Sequence, residues 1–231
     1  MIRILQTLWI LLVSSTLLFA KVGDKKVLNP KLQAYSETVL KDFGSISKDR
    51  KLILKELAKY VKSKSKNKEK INLIFICTHN SRRSHMSQIW AQTASEYYGI
   101  KGVSSFSGGT EATAFNPRAV AALERAGFEI AKTSEDKNPA YEVKASSDLL
   151  ISKAFSKKYS DDANPKSDFC AVMTCSQADK ACPLVLGATK RISLPFEDPK
   201  AFDGTDKEAA AYDERCKQIA TEMFYLFSLV K

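Results

Sequence analysis

A cysteine and an arginine are separated by five residues in the stretch Cys77-Thr78-His79-Asn80-Ser81-Arg82-Arg83-Ser84. The residues before it, Ile71-Asn72-Leu73-Ile74-Phe75-Ile76, are mostly apolar and read as a buried strand. From Ser84 onward a helical pattern begins. A thiol at a strand end and a guanidinium at a helix start suit one kind of ligand. A loop curling into a helix aims several backbone N–H groups at one point, and the helix dipole adds positive potential there. The planar fork of Arg83 can grip two oxygens of a tetrahedral oxyanion. The same field favours thiolate over thiol, so Cys77 is the candidate nucleophile beneath a bound phosphate or arsenate. No Gly-Lys-Ser/Thr closes the loop, which excludes a nucleotide-binding P-loop.

Cys77 to Ser84 resembles the Cys-x5-Arg-Ser loop of the low-molecular-weight protein tyrosine phosphatase superfamily, which includes the thioredoxin-coupled arsenate reductases. The resemblance extends over residues 70–231. It implies an α/β fold, a four-stranded parallel sheet with helices on both faces. It also implies an oxyanion cradle built from Thr78, His79, Asn80, Ser81, Arg82, Arg83 and Ser84. Ser107 is expected to brace Asn80. Asp198, in an Asp-Pro pair after the fourth strand, matches the family's general acid, which protonates the leaving oxygen.

Cys175 and Cys182 match, in spacing, the resolving pair of the thioredoxin-coupled reductases. The resemblance implies a cascade through Cys77, Cys175 and Cys182 that ends in a disulfide for a thioredoxin-like reductant. The alternative is a phosphomonoesterase or tyrosine phosphatase working through a Cys77 phosphoenzyme, with Cys175–Cys182 a static bridge. A non-catalytic oxyanion-binding module fits least well. Either way the ligand is phosphate, arsenate or a phosphorylated substrate. No cofactor is implied. Neither histidine has metal-ligand spacing around it, so no metal is expected.

Three departures from the pattern stand out. His79 occupies a position where the loop commonly has Gly. Arg82 replaces a second loop cysteine and adds positive charge. Lys200, Ala201 and Phe202 follow Asp198-Pro199, where phosphotyrosine-specific members place tyrosines, so only Phe202 is available to stack on a substrate ring.

The remaining elements must position these groups. Met86, Ile89, Trp90, Thr93 and Tyr97 form one helical stripe that Gly99 ends. Val103–Ser107 reads as a strand, and Asn116-Pro117 as a helix start running to Gly127. This strand–helix alternation calls for a parallel sheet with right-handed crossovers. Residues 133–168 read as a hairpin-like insertion beside the active face. Phe169–Thr174 and Lys190–Leu194 are strands. The last helix shows a capping box, Thr205 with Glu208, and a stripe of Tyr212, Cys216, Ile219, Met223, Leu226 and Val230. Cys170 and Cys216 read as inert core thiols.

The basic charge is concentrated at one end. Residues 21–70 hold 15 basic and 6 acidic residues, nine of the chain's net +10. The rest is near neutral, which argues against a nucleic-acid surface on the catalytic part. Residues 21–69 read as a basic helical extension, packed on residues 70–231 through Leu32, Tyr35, Val39 and Phe43, then Ile53, Leu54, Leu57 and Val61. Ser47 is the cap of its second helix, and Lys62–Lys70 reads as a linker. Its charge suits solvent or anionic lipid headgroups. Residues 1–20 carry Arg3 and an apolar run from Ile4 to Ala20. They read as a secretory signal, with an uncleaved anchor as the alternative, so an exported or periplasmic location is expected.

Overall fold

Strand β1 (Ile71–Cys77) is the middle of the molecule, and its apolar run explains why. The computed structural model describes residues 27–231, and the signal or anchor expected at residues 1–20 lies outside them. Among the described residues no helix is long and apolar enough to cross a membrane. β1 pairs in parallel with β2 (Val103–Gly109) on one side and β6 (Phe169–Met173) on the other. With β7 (Ala188–Ser193) the parallel sheet has the order β2-β1-β6-β7. Successive side chains of β1 face opposite ways. Leu73 and Phe75 enter the larger core, whereas Ile74, Ile76 and Cys77 enter a smaller one with Cys175 and Ala178.

Helix α3 (Arg83–Tyr97) buries Met86, Ile89 and Trp90 in the larger core. α4 (Pro117–Ala126) starts as expected: Asn116 accepts a hydrogen bond from the Arg118 amide at 2.9 Å, and Pro117 fills the first position. α6 (Glu208–Ser228) lies along α3 and α4, and its expected stripe is buried. The short α5 (Ser176–Ala181) packs on the smaller core. Glu129–Lys132 (β3), Tyr141–Ser146 (β4) and Leu149–Ala154 (β5) form a separate antiparallel sheet. The expected hairpin is therefore β4–β5, with β3 added along its edge.

The extension shares the main core. α1 (Pro30–Lys41) and α2 (Lys48–Lys66) contribute Leu32, Val39, Leu54, Leu57 and Val61 to it. Tyr35 stacks on Trp90 with centroids 5.5 Å apart. At Gly127, φ is +115°, and an added Cβ would come within 2.5 Å of the Leu32 amide nitrogen. Glycine there lets the end of α4 touch the start of α1.

Two local expectations change. α2 runs on to Lys66, through most of the segment expected to be linker, because lysines are good helix formers even without a buried face. The capping box is displaced. Thr205 Oγ1 accepts from the Lys207 amide, and Glu208 reaches the Gly204 amide instead of closing on Thr205. The helix begins at Glu208, with Lys207 as an uncapped flank.

Candidate active site

The loop from Cys77 to Ser84 is shaped by where its carbonyls go. Cys77 O accepts from the Thr110 amide at 3.1 Å, and Thr78 O from the Glu111 amide at 2.8 Å. His79 O accepts from the hydroxyls of Thr113 and Ser156, both at 3.1 Å. Ser81 O accepts from the Asn116 amide at 2.9 Å. In a planar trans peptide the N–H points opposite to the C=O. With these carbonyls committed to their partners, the amides of Thr78, His79, Asn80 and Arg82 point the other way and are left to meet a ligand. Gly109 makes this possible: a Cβ there would lie 2.1 Å from Glu111 O and 2.7 Å from Asn80 N.

Asn80 is the pivot of the loop. It is fully buried, with φ at +43°, a region Asn tolerates better than most residues. The loop's left-handed angle falls on Asn80 and not on His79, where the family commonly has Gly. The Asn80 side chain donates to Ser84 Oγ at 2.8 Å and accepts from the Lys157 amide at 2.8 Å. Ser84 Oγ lies 3.1 Å from Cys77 Sγ, so its own proton is free to meet a thiolate. Ser107 is not the brace of Asn80. Its hydroxyl lies 3.2 Å from His85 Nδ1, and Lys157 and Ser84 do the bracing. Ser84 is only four residues along the chain, whereas Lys157 comes into place only when the insertion folds over β2.

Arg83 is the first residue of α3, and its guanidinium is almost wholly buried. It donates to Phe196 O at 3.0 Å and to Asp198 Oδ2 at 2.7 Å. Its Nε has no partner. A buried donor left over at the mouth of the loop is what an incoming oxyanion oxygen would satisfy. Asp198 caps the turn Pro199–Phe202 through the Lys200 amide and stays about a third exposed, so its carboxyl faces the opening. Arg82 is drawn sideways: its Nε donates to Tyr212 Oη at 2.8 Å, and Tyr212 donates to Asp203 Oδ1 at 2.8 Å. Cys77, His79, Ser81, Arg82, Arg83 and Asp198 line a small, tight cleft. His79 sits on its rim, 3.6 Å from Glu111. Phe202 is exposed at the end of the Asp198 turn.

The other two cysteines flank α5. Cys175 is buried, caps the helix by accepting from the Ala178 amide, and lies 3.5 Å from Thr78 Oγ1. Cys182 is at the far end and half-buried. Both are free thiols, so the bridge between them is not formed. Arg191 on β7 holds the intervening helix. It donates to Asp179 O at 2.7 Å, Asp179 Oδ1 at 2.6 Å and Cys182 O at 3.2 Å. Ser193 adds a bond to Asp179 Oδ2 at 2.8 Å. Burial pushes Cys170 and Cys216 up to about 12, as inert core thiols require.

Behind the loop lie two groups that sequence reasoning missed. His85 is fully buried, stacked on Phe115 at 4.1 Å, and desolvation holds its pKa well below the usual range. Lys157 is buried beneath the ring of Phe155, and the same cause lowers its pKa to about 8. The adjacent pair Gly108-Gly109 was the available signal: both admit close backbone neighbours, Tyr159 at the first and the oxyanion loop at the second.

A Cys-x5-Arg loop joining the central strand of a four-stranded parallel sheet to a buried helix defines a class of α/β enzyme with a cysteine at the oxyanion site. The sequence profile of the low molecular weight phosphotyrosine protein phosphatase family matches residues 72–223. The chain belongs to that family. It is 29% identical over 160 residues to an arsenate reductase of Bacillus licheniformis, covering 69% of this chain and 96% of that protein. An arsenate reductase of Brevibacillus brevis is 32% identical over 130 residues, 56% of this chain and 78% of the relative. Among solved structures, a low molecular weight protein tyrosine phosphatase from T. tengcongensis superposes with a TM-score of 0.47 at 16% identity, covering 68% and 98% of the two chains.

Proposed function

We propose that the enzyme reduces arsenate through Cys77, Cys175 and Cys182. The carrying observation is that Cys77 and Cys175 lie in one buried cluster, with Cys175 against Thr78 of the loop. The Cys77 thiolate attacks arsenic while Asp198 gives a proton to the departing oxygen, which leaves as water. The Cys175 thiolate then attacks Cys77 Sγ, and the sulfur–arsenic bond breaks with its electron pair on arsenic, releasing arsenite. Cys182 attacks Cys175 Sγ, freeing Cys77 and leaving a Cys175–Cys182 disulfide. A dithiol reductant of the thioredoxin kind supplies the two electrons that restore the pair.

Helix α5 must unwind for the third step. Residues seven apart along a helix are separated by roughly 10 Å, whereas a disulfide needs Cα atoms within about 7 Å. The same pinned helix favours a second reading, phosphomonoester hydrolysis, in which water clears a Cys77 phosphoenzyme and α5 stays folded. Measuring thioredoxin-dependent arsenate turnover beside aryl-phosphate hydrolysis separates the two. Arsenate turnover is expected. Its absence alongside efficient hydrolysis would establish the phosphatase. The apolar run Ile4–Ala20 and the basic extension support export, with the extension near a membrane surface. Protein from the native cell should then begin near Lys21 or partition with membranes.

A further inference from the structure

We infer that Arg50, in the N-terminal extension, is a positioning residue for Asp198, the proposed acid. Arg50 lies outside the segment matched by the family profile. It sits in the first turn of α2, where its own amide is held by the Ser47 cap at 3.3 Å. Its guanidinium makes a two-point pair with Glu222 of α6, both bonds 2.6 Å, and Glu222 is only 2% exposed. The remaining nitrogen donates to Pro195 O at 2.8 Å. The guanidinium carbon also lies 4.7 Å over the ring of Phe196. Pro195 and Phe196 lead directly into Asp198, and Phe196 O accepts from Arg83.

The physical chain is short. Arg83 is oriented by two acceptors, Phe196 O and Asp198 Oδ2, three residues or fewer from the carbonyl that Arg50 holds. On the sheet side, this segment is tied by the Leu194 and Phe196 amides to β6 and Thr174. Arg50 supplies the opposite side: a rigid fork, anchored on a buried carboxylate, gripping both the carbonyl and the ring. The extension thus sets the reach of the acid and the angle of Arg83.

This inference rests on Asp198 acting as the acid, so the test separates the two. Removing Arg50 alone leaves the buried Glu222 carboxylate with only the Gln218 amide, at 3.1 Å, and no opposite charge in contact, which threatens folding. The informative variant is Arg50→Met with Glu222→Leu, which replaces the pair by apolar groups and deletes the hold on Pro195. Glu222→Gln with Arg50 intact is the control. Two readouts are taken on the full chain. First, hydrogen exchange in the peptide Phe196–Asp203 should quicken about tenfold in the double variant, with the rest of the sheet unchanged. Second, hydrolysis of phenyl phosphate should fall at least about tenfold, out of the ~10²–10⁴ that general acids contribute, while dinitrophenyl phosphate, whose leaving group needs little acid help, changes less than about twofold.

Unchanged exchange in that peptide would overturn the inference, even if the enzyme hydrolyses no aryl phosphate. Equal loss with both substrates would also overturn it. Faster exchange in an enzyme whose hydrolysis is insensitive to Asp198→Asn would uphold Arg50 as the brace of this segment and refute Asp198 as the acid.

Discussion

The oxyanion loop and the Cys175–Cys182 segment border one small core and are built on opposite plans. In the loop the carbonyls of Cys77, Thr78, His79 and Ser81 all have partners, and the fully buried Asn80 locks the turn. Around α5 the hold is a side-chain clamp, Arg191 with Asp179, both more than a quarter exposed. Backbone bonds buried from water resist opening, whereas an exposed ion pair contributes little and is screened by salt. The first region is made to keep its shape during chemistry. The second is clamped from outside, and the proposed cascade requires that clamp to release.

Cys77→Ser is the severest break in the first plan. It should abolish arsenate reduction and aryl-phosphate hydrolysis alike, while phosphate binding survives because the amides and Arg83 remain. Calorimetric titration with inorganic phosphate checks the binding, and full hydrolysis in this variant would sink the site.

Next in size are the substitutions that leave the loop whole and stop the second region. Cys175→Ser should end multiple-turnover arsenate reduction and alter aryl-phosphate hydrolysis by less than about threefold, since water does not need a resolving thiol. Cys182→Ser should trap a Cys77–Cys175 disulfide, visible by peptide mass mapping after arsenate treatment. Thioredoxin-dependent turnover persisting in Cys175→Ser would remove the cascade.

The groups behind the loop give it a pH signature. His85 is held neutral by burial, while in the unfolded chain it takes up a proton near its ordinary value of about 6.5. The unfolded state therefore binds more protons as pH drops below that value. Stability should fall there by up to about 1.4 kcal/mol per pH unit for this one group. Lys157 acts at the other end. With its pKa lowered to about 8, stability should rise as pH climbs from there toward the ordinary lysine value of about 10.4. Lys157→Met should remove that alkaline gain and stabilise the protein near neutrality, by on the order of 2–3 kcal/mol. Urea denaturation across pH measures both; an alkaline gain that persists in Lys157→Met would show that Lys157 is not its source.

The smallest effect belongs to the clamp. Arg191→Met should quicken closure of the Cys175–Cys182 disulfide several-fold under a mild oxidant and shift the pair's redox equilibrium toward the disulfide. The folded helix, favoured by the clamp, belongs to the dithiol form. Aryl-phosphate hydrolysis should be unmoved. Equal closure rates in variant and wild type would mean that α5 opens without regard to Arg191.

By itself the sequence determined what depends on near neighbours. The apolar run at 71–76, the five-residue gap from Cys77 to Arg83, the Asn116-Pro117 start and the stripe of α6 are set within a few residues, where backbone periodicity and capping operate. The resemblance to a family added Asp198, Cys175 and Cys182, which no local pattern singles out. Tertiary structure decided the partners. Lys157 braces Asn80 from 77 positions away, a place assigned to Ser107, and Arg50 meets Glu222 across 172. Such pairings are settled by which buried donors and acceptors remain unsatisfied once helices and strands have taken their own bonds. That remainder is a property of the packed molecule, and no window of the chain contains it.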